Sequence, residues 1–508
     1  VVEDSRPRTG RGAVWAGLAV VAAGAAVGLA VEFHVLGWTS IPGGKCGGDD
    51  CPEGTTPTLL LAFLLTFVGF GVLARAIQSF TERRPGKAVP AVLTAAGVLL
   101  ALWPGWQAYL WMRGPVLDAS WQAAPDRPAT VRAQGVWTVG GDASTVVRVR
   151  DDALVSYDAH GGDRRWTLRA PVRESVCGMS ERVVDGVGLV AFARYNHPCD
   201  TVWGVDTRTG RKLWERHIKG VAQFTSGSDS LLAADRDVAV ALTDTGVRAY
   251  GLADGRPRWS ADLNRKHRDG EACAPSVVSA TGGTTTVVLT CVTAGGGSGR
   301  LVTLDNATGK QRASVALPIE SPAEMVMVLS ADPFTLLLKE RDKRGVAAVL
   351  AYPDPHGDPV QIPLTGDDED LKPLSADYDI FEARPALWAT VSGDTLVVAA
   401  AKPGATSADR VSGYALRDGR HLWHADLGEV AALAPAGRGR VAVLGSGLLG
   451  NGRLWTLDTA HGHRIGEDDG TTVRTDRYAT GAQLLRAGDT WVVVNGDGTN
   501  QPPLLGLR

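Results

Sequence analysis

The stretch Val202–Ile218, VWGVDTRTGRKLWERHI, decides the reading of this chain. A β-branched and aromatic run ends at Asp206, a polar turn closes at Gly210, and a second run carries Trp214. Apolar runs flanking an Asp/Gly turn read as an antiparallel hairpin. Asp206 is expected to accept the turn's backbone N–H groups, and Gly210 to take the positive φ that closes it.

The same pattern returns on both sides. VSYDAHGGDRRW supplies Asp158, Gly162 and Trp166, VRAYGLADGRPRW supplies Gly255 and Trp259, and VSGYALRDGRHLW supplies Gly419 and Trp423. Weaker copies are LVTLDNATGKQRA with Asp305 and Gly309, LAYPDPHGDPV with Gly357, and LWTLDTAHGHRI with Asp458 and Gly462. A period of about 40–50 residues with four short strands each marks propeller blades. Two further strand-like runs precede the hairpins, most clearly Ala274–Ala280 and Thr284–Val292. After the last turn come Ala482–Leu485, Thr490–Val494 and Leu504–Leu507. Eight blades are therefore expected, with seven as the alternative. Ala129–Arg132 is expected to supply the last blade's missing strand, because a closed ring leaves no free sheet edge.

Three apolar segments precede this region: Ala13–Val31, Leu59–Ala74 and Ala88–Met112. At about 1.5 Å per residue they suit a hydrocarbon core of about 30 Å, and transmembrane helices are expected at about 13–35, 58–77 and 88–112. Arg6, Arg8 and Arg11 precede the first span, and Arg75, Arg83, Arg84 and Lys87 separate the second from the third. The other side has Lys45 and Arg113. The positive-inside rule then predicts a multi-pass plasma-membrane protein: a cytoplasmic tail at 1–12, a membrane domain at 13–113, a proline-containing linker at 114–128, and residues 129–508 outside the cell. Gly24 and Gly28 form a G-x-x-x-G that an Ala/Gly-rich segment produces by composition, and Glu32 and His34 are read as interfacial.

The formal charge of -3, with 21% charged residues, gives no field suited to nucleic acid. Six cysteines fall in local pairs, as an oxidising compartment allows. Cys273 and Cys291 are symmetric about Gly282 and are expected to face each other across a hairpin. Cys177 and Cys199 need a bulge to pair across their strands, and Cys46 and Cys51 pair in the first outer loop.

The D-x-x-T-G-x-x-x-W form at Asp206, Thr209, Gly210 and Trp214 resembles the PQQ-like β-propeller repeat. Ala313 and Gly466 stand where two copies lose the Trp. The resemblance implies a fold of four-stranded blades from Ala129 onward, with Trp166, Trp214, Trp259 and Trp423 docked between neighbouring blades. The family contains quinone-dependent dehydrogenases, some behind several membrane spans, and cofactor-free scaffold propellers. The enzymes typically carry a vicinal disulfide above the quinone, and here no two cysteines are adjacent.

Other motifs favour structural roles. Gly445, Gly447 and Gly450 lack the helix a dinucleotide site needs. The acidic runs at 367–370 and 467–469 read as solvated loops. His160, His356 and His461 occupy turns, and His421 and His424, three apart on a strand, are expected on opposite faces. Asn306-Ala307-Thr308 matches the glycosylation pattern but sits in a repeat turn. No catalytic, cofactor or metal residue is assigned. The expected function is a membrane-anchored binding or scaffold module for a protein, peptide or envelope ligand, with no cofactor and no nucleic acid. The alternatives are a membrane-bound dehydrogenase using PQQ with Ca²⁺, and an extracytoplasmic sensor with a partner subunit.

Overall fold

A computed structural model describes residues 11–41, 54–82, 88–128, 131–139, 144–220, 230–264, 272–293, 296–354, 357–375, 382–445, 452–466, 470–475, 477–479, 481–496 and 501–508. Cys46, Cys51, His356, Gly447, Gly450 and the 467–469 run lie outside the described residues.

The chain forms two compact units. In the first, helices run over Arg11–Thr39, Thr55–Thr81 and Ala88–Arg113, each long and apolar enough to cross a membrane. The second continues past Arg75 to Thr81. Gly24 and Gly28 pack the first helix on the third: a Cβ added at Gly28 would meet the Cα of Val98 at 3.0 Å. The G-x-x-x-G thus has a packing role, because small residues let helix backbones approach closely. Glu32 continues that stripe and lies against Gly105. The first helix extends to Thr39, so Glu32 lies about 10 Å from its C-terminal end. His34 Nε2 is 3.1 Å from Thr66 Oγ1. This unit also contains Val116–Leu117, paired in parallel with Thr471–Val473.

The second unit is an eight-bladed β-propeller. Blade one runs from its innermost strand Ala133–Val139 through Thr145–Arg150 and Ala153–Asp158 to Arg164–Arg169. Blade two is Glu174–Met179, Val187–Arg194, Thr201–Asp206 and Arg211–His217. Blades three to six repeat the antiparallel order over 232–262, 272–316, 323–363 and 389–426. Val430–Pro435, Arg440–Gly445 and Gly452–Asp458 follow as blade seven, with Thr471–Val473 next in sequence.

The period of two along each strand builds the core between blades. On Val187–Arg194, Val190 and Phe192 meet Trp137 and Val149 of blade one. Leu189 and Ala191 turn the other way, into a cluster with Val238 and Val240 of blade three.

Ring closure differs from expectation. Blade eight is Gln483–Ala487, Thr490–Val494 and Leu504–Leu507, and its outer strand is Ala119–Gln122. Ala119 pairs with Leu507 and Gln122 with Leu505. The closing strand therefore comes from within the segment read as linker and not from Ala129–Arg132, of which 129 and 130 lie outside the described residues. The reason is reach: Ala119–Gln122 reaches the outer edge of blade eight, and the chain then passes inward to start blade one. Asp126 fixes that passage. Its carboxylate receives Arg148, and Arg150 Nη1 at 2.7 Å, while Arg148 Nη2 donates to the carbonyls of Asn495 at 3.3 Å and Gly496 at 3.2 Å.

Candidate functional site

The repeat residues form the seams of the ring. Asp206 Oδ1 accepts the N–H of Arg208 at 2.9 Å and of Thr209 at 3.4 Å, and Gly210 has φ 71. Asp158, Asp305 and Asp458 cap their turns in the same way. After each of the turns at Gly162, Gly210, Gly255, Gly309 and Gly419 the strand register slips by one residue. In blade two that slip sets Trp214 opposite Gly204 and frees its ring to lie over Gly255 of blade three, where an added Cβ would meet it at 2.7 Å. Trp214 Nε1 donates to Leu252 O at 2.7 Å, Trp259 to Asn306 O at 2.7 Å and Trp423 to Thr459 O at 3.0 Å. Trp166 packs on Gly210, Trp259 on Gly309 and Trp423 on Gly462. Trp121 of the closing strand does the same on Gly162, a member of the series the sequence reading missed because it stands before the first repeat. Where the outer strand lacks Trp, Gly419 meets Val360 and the carbonyl of Gln361 instead.

The turn carboxylates are depressed. At Asp158 and Asp305 the main cause is the guanidinium of Arg165 or Arg312, which holds Asp305 down to about 2. At Asp206 and Asp458 burial pushes upward and is outweighed by hydrogen bonds from their turns. A carboxyl lowered by folding contributes stability above its unfolded pKa of about 3.9 and loses it as pH falls through the folded value. The melting temperature is therefore expected to fall between about pH 4 and pH 2, and an acid series of thermal melts checks this.

Cys273 and Cys291 are directly opposed across the first two strands of blade four and bonded. Cys177 is bonded to Cys199. A bulge does occur at Cys177, but Cys199 lies beyond Arg194, in the loop leading to the third strand. This bond ties the first strand to a loop rather than to the second strand. Asn306 is buried, donating to Asp235 Oδ2 at 3.0 Å and accepting from Thr285 at 2.6 Å, so its role is structural.

The insert before blade six holds the main departure from a plain ring. Asp367 and Asp368 are exposed. Glu369 is buried, accepting from Ser412 Oγ at 2.8 Å and Tyr414 Oη at 2.7 Å, and Asp370 accepts the N–H of Gly404 at 2.9 Å. Half of the acidic run is thus structural rather than solvated. Burial, followed by the bond to Glu369, pushes the Tyr414 phenol up. His421 and His424 stack with ring centroids 5.8 Å apart. The one-residue slip makes Leu422 the extra residue and returns both rings to one face, contrary to the simple alternation expected.

Farther along the insert, Ala383 N donates to Gln134 Oε1 at 2.7 Å and Arg384 N to Gln134 O at 2.8 Å. Gln483 Nε2 reaches Arg384 O at 3.4 Å, and Arg384 Nη2 lies 3.8 Å from Glu181 Oε1. Gln134 and Gln483 belong to the innermost strands of blades one and eight, and Glu181 follows that of blade two. A segment that leads into blade six yet binds these three blades crosses the centre of the ring. Gly135, φ 145, makes room for it: a side chain there would strike Met179 and Arg384.

A quinone held with Ca²⁺ requires several oxygen ligands beside a flat cavity. Among the described residues no group of three or more His, Cys, Asp or Glu side chains is placed to hold a metal. A cavity of about 860 Å³ lies between Gly296, Leu317–Ser321 and Glu340–Val346. Its Glu340 carboxylate is used by the N–H groups of Glu320, Ser321 and Val346, which makes it part of the wall.

The family described as outer membrane protein assembly factor BamB matches residues 108–350. Among solved structures, BamB from Moraxella catarrhalis is 13% identical with a TM-score of 0.39, over 77% of this chain and 99% of that one. Hsv2p of Kluyveromyces lactis is 10% identical with a TM-score of 0.36, over 65% and 93%. A eukaryotic initiation factor is 12% identical with a TM-score of 0.43, over 74% and 88%. No curated protein matches the chain. Residues 108–350 match that family's model, and the eight sheets with Trp-on-glycine seams between blades give the chain a β-propeller fold of PQQ-like repeats, along with three long apolar helices.

Proposed function

We propose that this protein is a binding and scaffold module, held in the plasma membrane by three helices, with its propeller outside the cell and a protein or envelope ligand on its loops. The observation that carries the reading is the crossing of the ring's centre by Ala383–Arg384. These contacts hold the segment against the innermost strands of blades one and eight, which supports the loops between strands as the accessible surface. The family description, an assembly factor, agrees with work done by contact. The basic residues at 6, 8, 11, 75, 83, 84 and 87 support a cytoplasmic N-terminus, and the disulfides support an oxidising exterior. The reading requires no cofactor.

The test is chemical cross-linking of the full chain in its native membranes, followed by purification in mild detergent. The expected result is a stoichiometric adduct with another envelope component, and no shift in melting temperature when PQQ and Ca²⁺ are added. A chain recovered alone, and stabilised by PQQ with Ca²⁺, would overturn the proposal in favour of the dehydrogenase.

A further inference from the structure

One end of the helical unit holds two arginines that share a single carboxylate. Gly24, Gly28 and Glu32 of the first helix meet Thr94, Val98 and Gly105 of the third in that order, so these two helices run parallel and finish at the same end. Arg113 closes the third helix. Arg474 follows Thr471–Val473 within the same unit, and its backbone N–H donates to Leu117 O at 2.9 Å. Asp118 stands between the two side chains, with Arg113 Nη1 3.7 Å from Oδ2 and Arg474 Nε 3.7 Å from Oδ1.

Both distances exceed hydrogen-bond reach, so the carboxylate fills neither guanidinium fork. Arg474 Nη1 donates to Tyr109 Oη at 3.2 Å, and the Arg113 guanidinium lies 5.8 Å from the centre of the same ring. The phenol orients both arginines without neutralising them. Their side chains are 12% exposed at Arg474 and 23% at Arg113, against 49% at Asp118, so the cations are held in place while the carboxylate faces outward. Gly54, at the start of the second helix, lies against the Arg113 backbone. The positive end of that helix therefore adjoins the negative end of the third, and their dipoles offset each other. Two guanidinium groups against one carboxylate leave one positive charge over.

The surroundings indicate the occupant. The third helix has 26 residues, about 39 Å against a hydrocarbon core of about 30 Å, so its last turn reaches the headgroup layer. Trp38, Trp106 and Trp111 are exposed at this same end, as aromatic side chains are at headgroup level. The anion abundant at that level is lipid phosphate, and guanidinium forks bind phosphate through paired hydrogen bonds. A phosphatidylcholine headgroup brings its own cation. An anionic headgroup does not, and it matches the surplus charge.

We propose that Arg113 and Arg474, oriented by Tyr109, hold the phosphate of an anionic phospholipid, for which Asp118 is the competitor. This rests on the helices lying in a membrane and is independent of what the propeller binds.

The probe is phosphatidylglycerol, compared with phosphatidylcholine of the same acyl chains and with inorganic phosphate, each added to the full chain in mild-detergent micelles. Native mass spectrometry counts the bound lipid. Phosphatidylglycerol is expected to bind about tenfold tighter than phosphatidylcholine and to resist displacement by inorganic phosphate. Arg113→Gln and Arg474→Gln should each weaken it about tenfold. Asp118→Asn should tighten it about threefold by removing the competing carboxylate, a gain that damage to the fold does not produce. Equal retention of the two lipids, wild-type retention in both arginine variants, or weaker retention in Asp118→Asn would overturn the site. Displacement by inorganic phosphate would overturn the lipid as its occupant. Alkaline carbonate washing of native membranes separates the two readings. A chain released by the wash refutes the membrane anchor as well, whereas a chain that stays in the membrane yet shows no lipid preference refutes this site alone.

Discussion

Replacing Asp126 with asparagine is expected to cost the propeller about 3–5 kcal/mol, the usual penalty for removing one partner of a buried ion pair. The Asp126 side chain is 2% exposed, and the two guanidinium groups it serves, Arg148 and Arg150, are 0% and 8% exposed. After the substitution the remaining carboxylate paired with these groups among the described residues is Asp152, which is half-exposed and bound to Arg150. Arg148 then keeps two carbonyl partners and no counter-charge. Set against a typical domain stability of about 5–15 kcal/mol, the loss is large, and it falls where the chain passes from the last blade into the first. Thermal melting of the full chain in detergent measures it. Replacing all three residues with apolar ones of similar size should recover most of the loss, since burying no charge avoids the desolvation cost. An Asp126→Asn variant melting with the wild type would show that the guanidinium groups reach water.

Trp214→Ala is expected to cost a similar amount, about 3–5 kcal/mol. The residue is 6% exposed, with its ring confined by Gly204 and Gly255 and its N–H bound to Leu252 O. Alanine leaves a cavity between two blades and orphans a buried carbonyl. Trp214→Phe keeps most of the ring and loses the donor, so its cost should be about 1–3 kcal/mol. Trp166 is half-buried and its Nε1 has no hydrogen-bond partner among the described residues, so Trp166→Ala should cost less than Trp214→Ala. Denaturant melts of the three variants give the order; equal losses for Phe and Ala at 214 would show that the hydrogen bond outweighs the packing.

The sequence revealed features whose causes are local. The clearest copies carry an Asp acceptor, a positive-φ Gly and a Trp within nine residues, so the hairpins, their period and the expectation of eight blades could be read directly. The Cys273–Cys291 bond followed from symmetry about one turn. Features whose causes lie elsewhere in the chain could not be read. Ala119–Gln122, ASWQ, is too short and polar to signal a strand, and its pairing is decided by Leu504–Leu507 at the other end. The path of Ala383–Arg384 is set by Gln134 and Gln483, in blades one and eight. A single-residue slip in register carried His424 onto the face of His421, because a bulge breaks the alternation from which faces are counted. In the helices, composition hid a real contact: Gly24 and Gly28 look accidental among alanines until the third helix is laid against them.

The pairing of Ala119–Gln122 with Leu504–Leu507 also sets a timetable. The strand that seals the ring is made first among all those of the propeller, and its partner last. At roughly 5–20 residues per second, the early strand waits tens of seconds with its backbone donors and acceptors unmatched. Blades one to seven accumulate meanwhile as an open arc with an unfinished edge at each end. Such an intermediate is a target for chaperones and a hazard for aggregation, and its lifetime is fixed by the length of the chain rather than by any barrier in the finished fold.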